Sequence, residues 1–335
     1  MNCMKMLKSV VQNKFFRVVL GLAVIVIIVV IANSVTYRPF MALFKGLMSK
    51  VDMQGNMGPW KERIEEVNLL GTEDIPVEGY PASKIYLYGV DSTECQPLIV
   101  YIHGGGWCTG SAEDVEWYAK LLASNGYIVA NVDYSLAPEY KYPASTVQLV
   151  ETMNYLYENA NHYGYDKDCI FIAGNSAGAH LSSQLGAIFT DDEYAGLIGV
   201  ETRVPSECIK GLILYNGVYN FDTVGDCKFP FFGKLAWSYT GVKKYIKYDR
   251  IDELSTIKHI GENYPSVFIT VGDADPLESQ TLEFINELKN KNVNYQSLLW
   301  TETKAGLWHD YIYEQNTNAA IRAYEETIIF LQSIK

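Results

Sequence analysis

The amino-acid sequence predicts an α/β fold: a mostly parallel central sheet with helices on both faces and a small helical cap. Three observations carry that expectation. From Ile85 onward, short apolar runs alternate with longer stretches of helical spacing, the pattern of strands joined by crossover helices. The run Leu98–Ile102 ends in His103-Gly104-Gly105-Gly106-Trp107. The run Cys169–Ala173 ends in Gly174-Asn175-Ser176-Ala177-Gly178, after which a helical pattern starts. Both glycine-rich turns thus sit where a strand ends.

Taken in order, residues 1–14 are a basic tail. Residues 15–35 centre on Val18–Ala32, an uninterrupted apolar run preceded by Phe15 and Phe16. About 20 residues reach roughly 30 Å as a helix, enough to span a bilayer, so a single-pass transmembrane anchor is expected. A cleaved signal peptide is the alternative, with Ala32-Asn33-Ser34 offering small residues for cleavage. Lys5, Lys8, Lys14 and Arg17 precede the run in a tighter cluster than Arg38, Lys45 and Lys50 after it, which orients the tail inward and the body outward.

Residues 36–80 read as an amphipathic linker. Pro39–Val51 carries Phe40, Leu43, Phe44, Leu47, Met48 and Val51 at helical spacing, fitting a membrane-surface or cap helix. Lys61–Leu70 is read as a short helix. Residues 81–335 hold the alternating body. Strands are expected at Ile85–Tyr88, Leu98–Ile102, Tyr127–Val132, Cys169–Ala173, Leu212–Tyr215, Val267–Val271 and Tyr295–Trp300. Helices are expected at Ala112–Asn125, Ala144–Glu158, Ala177–Thr190, Glu278–Leu288 and Tyr311–Ile334. Residues 216–264 interrupt the alternation with many aromatics, among them Tyr219, Phe221, Phe229, Phe231, Phe232, Trp237, Tyr239, Tyr245 and Tyr248. This segment reads as a cap-like insertion whose rings favour apolar groups, with ordinary packing on the core as the alternative.

Composition narrows the function classes. The formal charge is −12, and no Asp or Glu precedes Asp52, so the acidic excess belongs to the body. A surface of that sign repels nucleic acid. The six cysteines, Cys3, Cys95, Cys108, Cys169, Cys208 and Cys227, show no C-x-x-C spacing, so neither a metal nor a redox motif is present.

The two glycine-rich turns carry chemistry. In Gly-Asn-Ser-Ala-Gly, the glycines two positions either side of Ser176 remove side chains that would collide with backbone where a strand turns sharply into a helix. In the first motif, three glycines let backbone N–H groups approach a developing oxyanion. These residues, with Asp133-Tyr134-Ser135-Leu136-Ala137-Pro138-Glu139, Tyr142-Pro143-Ala144, Asp273-Ala274-Asp275-Pro276-Leu277 and His309, make the chain resemble the hormone-sensitive-lipase-like and related carboxylesterase branches of the α/β-hydrolase superfamily. The family usually has arginine where Ser135 stands. The continuation Ser176-Ala177-Gly178-Ala179-His180 is closer to its small-ester and formamidase-like branch.

The resemblance implies a Ser…Asp…His order. It makes Ser176 the nucleophile and His309, after the last strand, the base. Asp273 and Asp275 both follow the Val267–Gly272 segment, and the family's Asp-Pro-Leu match selects Asp275 as the acid. The oxyanion donors implied are the N–H groups of Gly105, Gly106 and Ala177, with His103 and Gly104 shaping the loop. His180, one helical turn beyond Ser176, reads as a packing or hydrogen-bonding residue; His162 and His259 read as surface. The expected activity is hydrolysis of small or medium uncharged carboxylic esters through an acyl-enzyme, with no metal or organic cofactor. An amidase or peptidase using the same triad, or a hydrolase-fold binding protein without activity, are the rivals. The expected partners are a small-molecule ester and, through the N-terminal run, a membrane; the oligomeric state is left open.

Overall fold

A computed structural model describes residues 35–48, 55–301 and 303–334. The chain divides into two units, residues 1–51 and 52–335. In the first, helix α1 (Arg38–Met48) forms where the apolar spacing predicts it. The run Val18–Ala32 lies outside the described residues. Among those described, no helix is long and apolar enough to cross a membrane; the 11 residues of α1 reach only about 16 Å against the roughly 30 Å of a hydrocarbon core. The expected single-pass anchor on 15–35, with the outward placement and membrane partnership built on it, is corrected on this ground.

The second unit is built on one eight-stranded sheet: β1 (Asn68–Val77), β2 (Tyr80–Gly89), β3 (Gln96–Ile102), β4 (Ile128–Asp133), β5 (Tyr165–Asn175), β6 (Ile209–Tyr215), β7 (Ser266–Val271) and β8 (Tyr295–Leu299). Its order is β1-β2-β4-β3-β5-β6-β7-β8. β1 and β2 form an antiparallel hairpin, β2 lies antiparallel to β4, and the remaining pairs are parallel. Leu98 to Ile102 and Ile170 to Ala173 are wholly buried. Strands covered by helices on both faces need no polar side, so they read as continuous apolar runs.

The helices of this unit are α2 (Lys61–Glu65), α3 (Glu116–Ala123), α4 (Ala144–Tyr163), α5 (Ala177–Ile188), α6 (Asp192–Ile198), α7 (Phe232–Thr240), α8 (Ile251–Leu254), α9 (Glu278–Asn290) and α10 (Asn318–Ser333). From β3 the chain crosses one way to β4, then back to β5 on the other side of β3. Such a reversal opens a crevice at the carboxyl ends of the strands. The register Ile102↔Gly174 sets the ends of β3 and β5 side by side, so the sheet brings the two glycine-rich turns together.

Two expectations about elements fail for local reasons. The helix read at Lys61–Leu70 stops at Glu65, and Asn68–Val77 is strand β1 instead. Its register shifts at Leu69/Gly71 and Ile75/Val77, so bulges break the alternation that would have revealed it. The helix read at Tyr311–Ile334 begins only at Asn318, where the Thr317 hydroxyl caps it by accepting the Ala320 N–H at 3.2 Å. Within residues 216–264, Tyr219, Phe221, Phe232, Trp237 and Tyr239 are buried.

Candidate active site

Ser176 stands between β5 and α5 with φ 53° and ψ −117°, a backbone conformation costing about 1–3 kcal/mol for a residue with a side chain. The flanking glycines permit the turn. A Cβ on Gly178 would lie 2.0 Å from the Ile102 carbonyl oxygen, and one on Gly174 would lie 2.5 Å from the Gly178 carbonyl carbon. The elbow thus presses against the end of β3, and only glycine fits.

The loop after β3 faces that elbow. A Cβ on Gly104 would fall 2.6 Å from Asn175 Nδ2, the side chain just before the serine. Gly105 and Gly106 take φ of 106° and 59°, and the Gly105 carbonyl accepts the N–H groups of Cys108 and Thr109 at 3.1 and 3.0 Å. These bonds engage the Gly105 carbonyl within the loop itself. His103 is buried, its ring stacked on Tyr134 at 4.3 Å and its Nδ1 2.7 Å from the Gly104 carbonyl. Burial holds its imidazole below the usual histidine range. Where the family has arginine, the Ser135 N–H donates to Gln148 Oε1 at 2.7 Å, and the Gln148 amide donates to Ser135 Oγ and the Pro81 carbonyl.

His309 approaches from the segment after β8. Its Nε2 lies 2.8 Å from Ser176 Oγ and its Nδ1 lies 2.8 Å from Asp275 Oδ2. The other Asp275 oxygen accepts the Leu277 N–H at 2.8 Å, so the carboxylate, buried at the end of β7, is held in one orientation. Asp273 does different work. It accepts the N–H groups of Leu307 and Gly306 at 2.7 and 3.2 Å, bonds that lower its pKa, Leu307 first. It pins the loop that delivers His309 and does not meet the imidazole. Burial alone would pull the His309 pKa down; the charge of Asp310, then the hydrogen bond donated to Asp275, drive it above the ordinary histidine value.

The other histidines fall elsewhere. His180 is buried, bonded to Trp107 and the Leu254 carbonyl. His162 is exposed, and His259 stacks on Tyr194 at 3.8 Å. Asp310 is the residue sequence reasoning missed. Its carboxylate lies 3.8 Å from His309 Nε2. The only sequence signal was an acidic residue directly after the histidine. Phe229 stands edge-on to His309 with ring centroids 4.8 Å apart. In α7, Leu235 packs so close to Gly106 that a Cβ there would lie 2.9 Å from it. Among the described residues, no group of His, Cys, Asp or Glu side chains is arranged to hold a metal ion, and Cys95, Cys208 and Cys227 are free thiols.

Comparison with known proteins agrees with this architecture. The BD-FAE family model matches residues 84–287. The chain is 25% identical over 191 residues to Esterase LipC of Mycobacterium tuberculosis, covering 56% of this chain and 42% of that protein. It is 37% identical over 134 residues to Carboxylesterase NlhH of the same organism, covering 38% and 39%. The matches therefore span less than half the length of either relative. Among solved structures, Esterase B from Lactobacillus rhamnosis superposes with a TM-score of 0.75 over 90% of this chain and 96% of that one, at 19% identity. With that shared architecture and a family match over most of its sheet, the chain has the α/β-hydrolase fold and belongs to the BD-FAE family.

Proposed function

We propose that this protein is a serine carboxylic-ester hydrolase working through Ser176, His309 and Asp275. The carrying observation is the unbroken relay from Ser176 Oγ to His309 to Asp275, 2.8 Å at each step, at the carboxyl edge of the sheet. In this reading His309 Nε2 takes the serine proton as Oγ attacks the ester carbonyl. Asp275 keeps Nδ1 protonated and supports the imidazolium that forms. The N–H groups of Gly105, Gly106 and Ala177 stabilise the oxyanion, with His103 and Gly104 shaping the loop. His309 then returns the proton to the departing alkoxide, leaving an acyl-enzyme on Ser176. Water attacks it, with His309 again as base.

Phe229 beside the imidazole and Leu235 against the oxyanion loop make the approach apolar, which supports a small or medium uncharged ester as substrate. Labelling of Ser176 by a fluorophosphonate, followed by turnover of a p-nitrophenyl ester chain-length series, tests the reading. Turnover of amides or peptides with none of short-chain esters would refute the ester assignment. Absence of both labelling and turnover would leave a binding protein on a hydrolase fold.

A further inference from the structure

The acid that follows His309 is placed with unusual care. Asp310 takes φ 59°, and with the Asn216 amide turned so that its oxygen faces this turn, the Asp310 N–H donates to it at 2.6 Å. Asn216 is itself fixed by donating its backbone N–H to the Thr270 carbonyl on β7 at 3.0 Å. This left-handed turn swings the Asp310 carboxylate back to the Nε2 side of its neighbour's ring. Oδ2 stands 3.8 Å from Nε2, the nitrogen that also lies 2.8 Å from Ser176 Oγ. The Asn175 amide, directly before the nucleophile, pulls the pKa of the same carboxyl down. Oδ1 is buried and has no hydrogen-bond partner among the described residues.

A carboxylate with one oxygen buried and unpartnered is costly. The cation its position suits is the imidazolium that forms during the reaction. At 3.8 Å it acts on that charge through space rather than through a hydrogen bond. We propose that Asp310 is a positioning residue, a second carboxylate set against His309 Nε2 opposite Asp275, which stabilises the imidazolium and tunes the pH at which His309 becomes a free base. This rests on His309 being the base of the proposed reaction.

The groups facing the pair come from several elements. Asp275, after β7, holds Nδ1. Asn175 at the end of β5 lowers the Asp310 pKa, and Asn216 after β6, its amide turned, accepts the Asp310 N–H. The Tyr101 and Tyr313 hydroxyls, 2.7 Å apart, sense its charge and are pushed up by burial first. Phe229 covers the ring. Burial lifts the Asp310 pKa, while His309 and then Asn175 pull it back. With two carboxylates on one imidazole, the ring keeps its proton to higher pH than an ordinary histidine.

The experiment is the pH profile of kcat/KM for a p-nitrophenyl ester, in wild type, Asp310→Asn and His309→Ala. Asparagine tolerates the left-handed backbone and keeps the size while removing the charge. The wild-type acid limb is expected above the ordinary histidine value of about 6.5. In Asp310→Asn that limb is expected to move down by about one pH unit. The alkaline plateau is expected to fall on the order of 3-fold, because a less basic imidazole is a weaker general base, with KM little changed. At pH 6 the variant then outperforms wild type. Titration of the low-field His309 Nδ1 proton by NMR reads the same shift without substrate. An unmoved limb and unmoved proton titration overturn the inference, even if activity falls at every pH. A wild-type limb at or below 6.5 also overturns it, and that measurement stands if the variant fails to fold. His309→Ala separates the two levels: retained turnover there refutes the triad, whereas an inactive His309→Ala with an unmoved Asp310→Asn limb refutes this inference alone.

Discussion

Protonation of His180 should destabilise the fold in mild acid. The ring bridges the loop after β3 and helix α8. Its Nδ1 accepts the Trp107 indole N–H at 3.1 Å, and its Nε2–H donates to the Leu254 carbonyl at 2.9 Å. That pairing demands the neutral tautomer, since a second proton on Nδ1 would meet the indole N–H donor to donor. Burial accordingly lowers its pKa to about 4, against a smaller opposing pull from the Leu254 carbonyl. The folded value lies below the unfolded value of about 6.5. The contribution to stability is therefore complete above pH 6.5 and is lost as pH falls toward 4, because the unfolded chain takes up the proton first. The shift corresponds to a loss of about 3 kcal/mol by pH 4, and about 2 kcal/mol by pH 5. Urea unfolding of wild type and His180→Gln at pH 7.5 and pH 5 isolates this effect, since every other titrating group is shared. Glutamine lowers stability at both pH values but does not titrate. The gap between the two proteins should narrow by about 2 kcal/mol on going to pH 5. A gap that stays constant would show that His180 is not held neutral, and the reasoning from its two hydrogen bonds would fail.

Ser176→Ala should abolish ester turnover and fluorophosphonate labelling with an unchanged circular dichroism spectrum; substantial turnover by a contaminant-free preparation would refute the nucleophile assignment. Asp275→Asn should cost about 10⁴-fold in kcat by releasing the imidazole tautomer, whereas Asp273→Asn should act more mildly, by loosening the segment around Gly306 and Leu307; steady-state kinetics of the pair would expose a reversed order. Gly178→Ala should prevent accumulation of folded protein, because its Cβ would lie 2.0 Å from the Ile102 carbonyl and 2.7 Å from that of His103. Gly196→Ala, inside α6 with nothing within 4 Å of the new Cβ, should instead stabilise by roughly 0.5–1 kcal/mol, measured as a rise in Tm.

Legibility in the sequence followed locality. The buried parallel strands were readable because a strand covered on both faces is apolar along its whole length, as in Leu98–Ile102 and Ile170–Ala173. The elbow was readable because its steric demand falls on residues two positions either side of Ser176. Where bulges shift the register, as in β1, period-2 patterning disappears. At Thr317, whose hydroxyl caps a helix that begins only at Asn318, the expected helix was read too long at its start.

The active-site partnerships obey a different rule. Ser176 and His309 are 133 residues apart, and their 2.8 Å contact depends on the order of strands in the sheet, which no local pattern encodes. The two aspartates after β7 are chemically equivalent in the sequence. Tertiary structure separates them, because backbone N–H groups at 306 and 307 claim Asp273 and leave Asp275 for the imidazole. Asp310 was invisible for the same reason: an acid next to a histidine can point to either side of the ring depending on the local backbone, and here, at a positive φ, its carboxylate lies 3.8 Å from Nε2. Residue type and spacing determined which chemistry the chain can carry. The sheet register and a few loop hydrogen bonds decided which atoms meet, because hydrogen-bond geometry is set within tenths of an ångström by groups far apart in the chain.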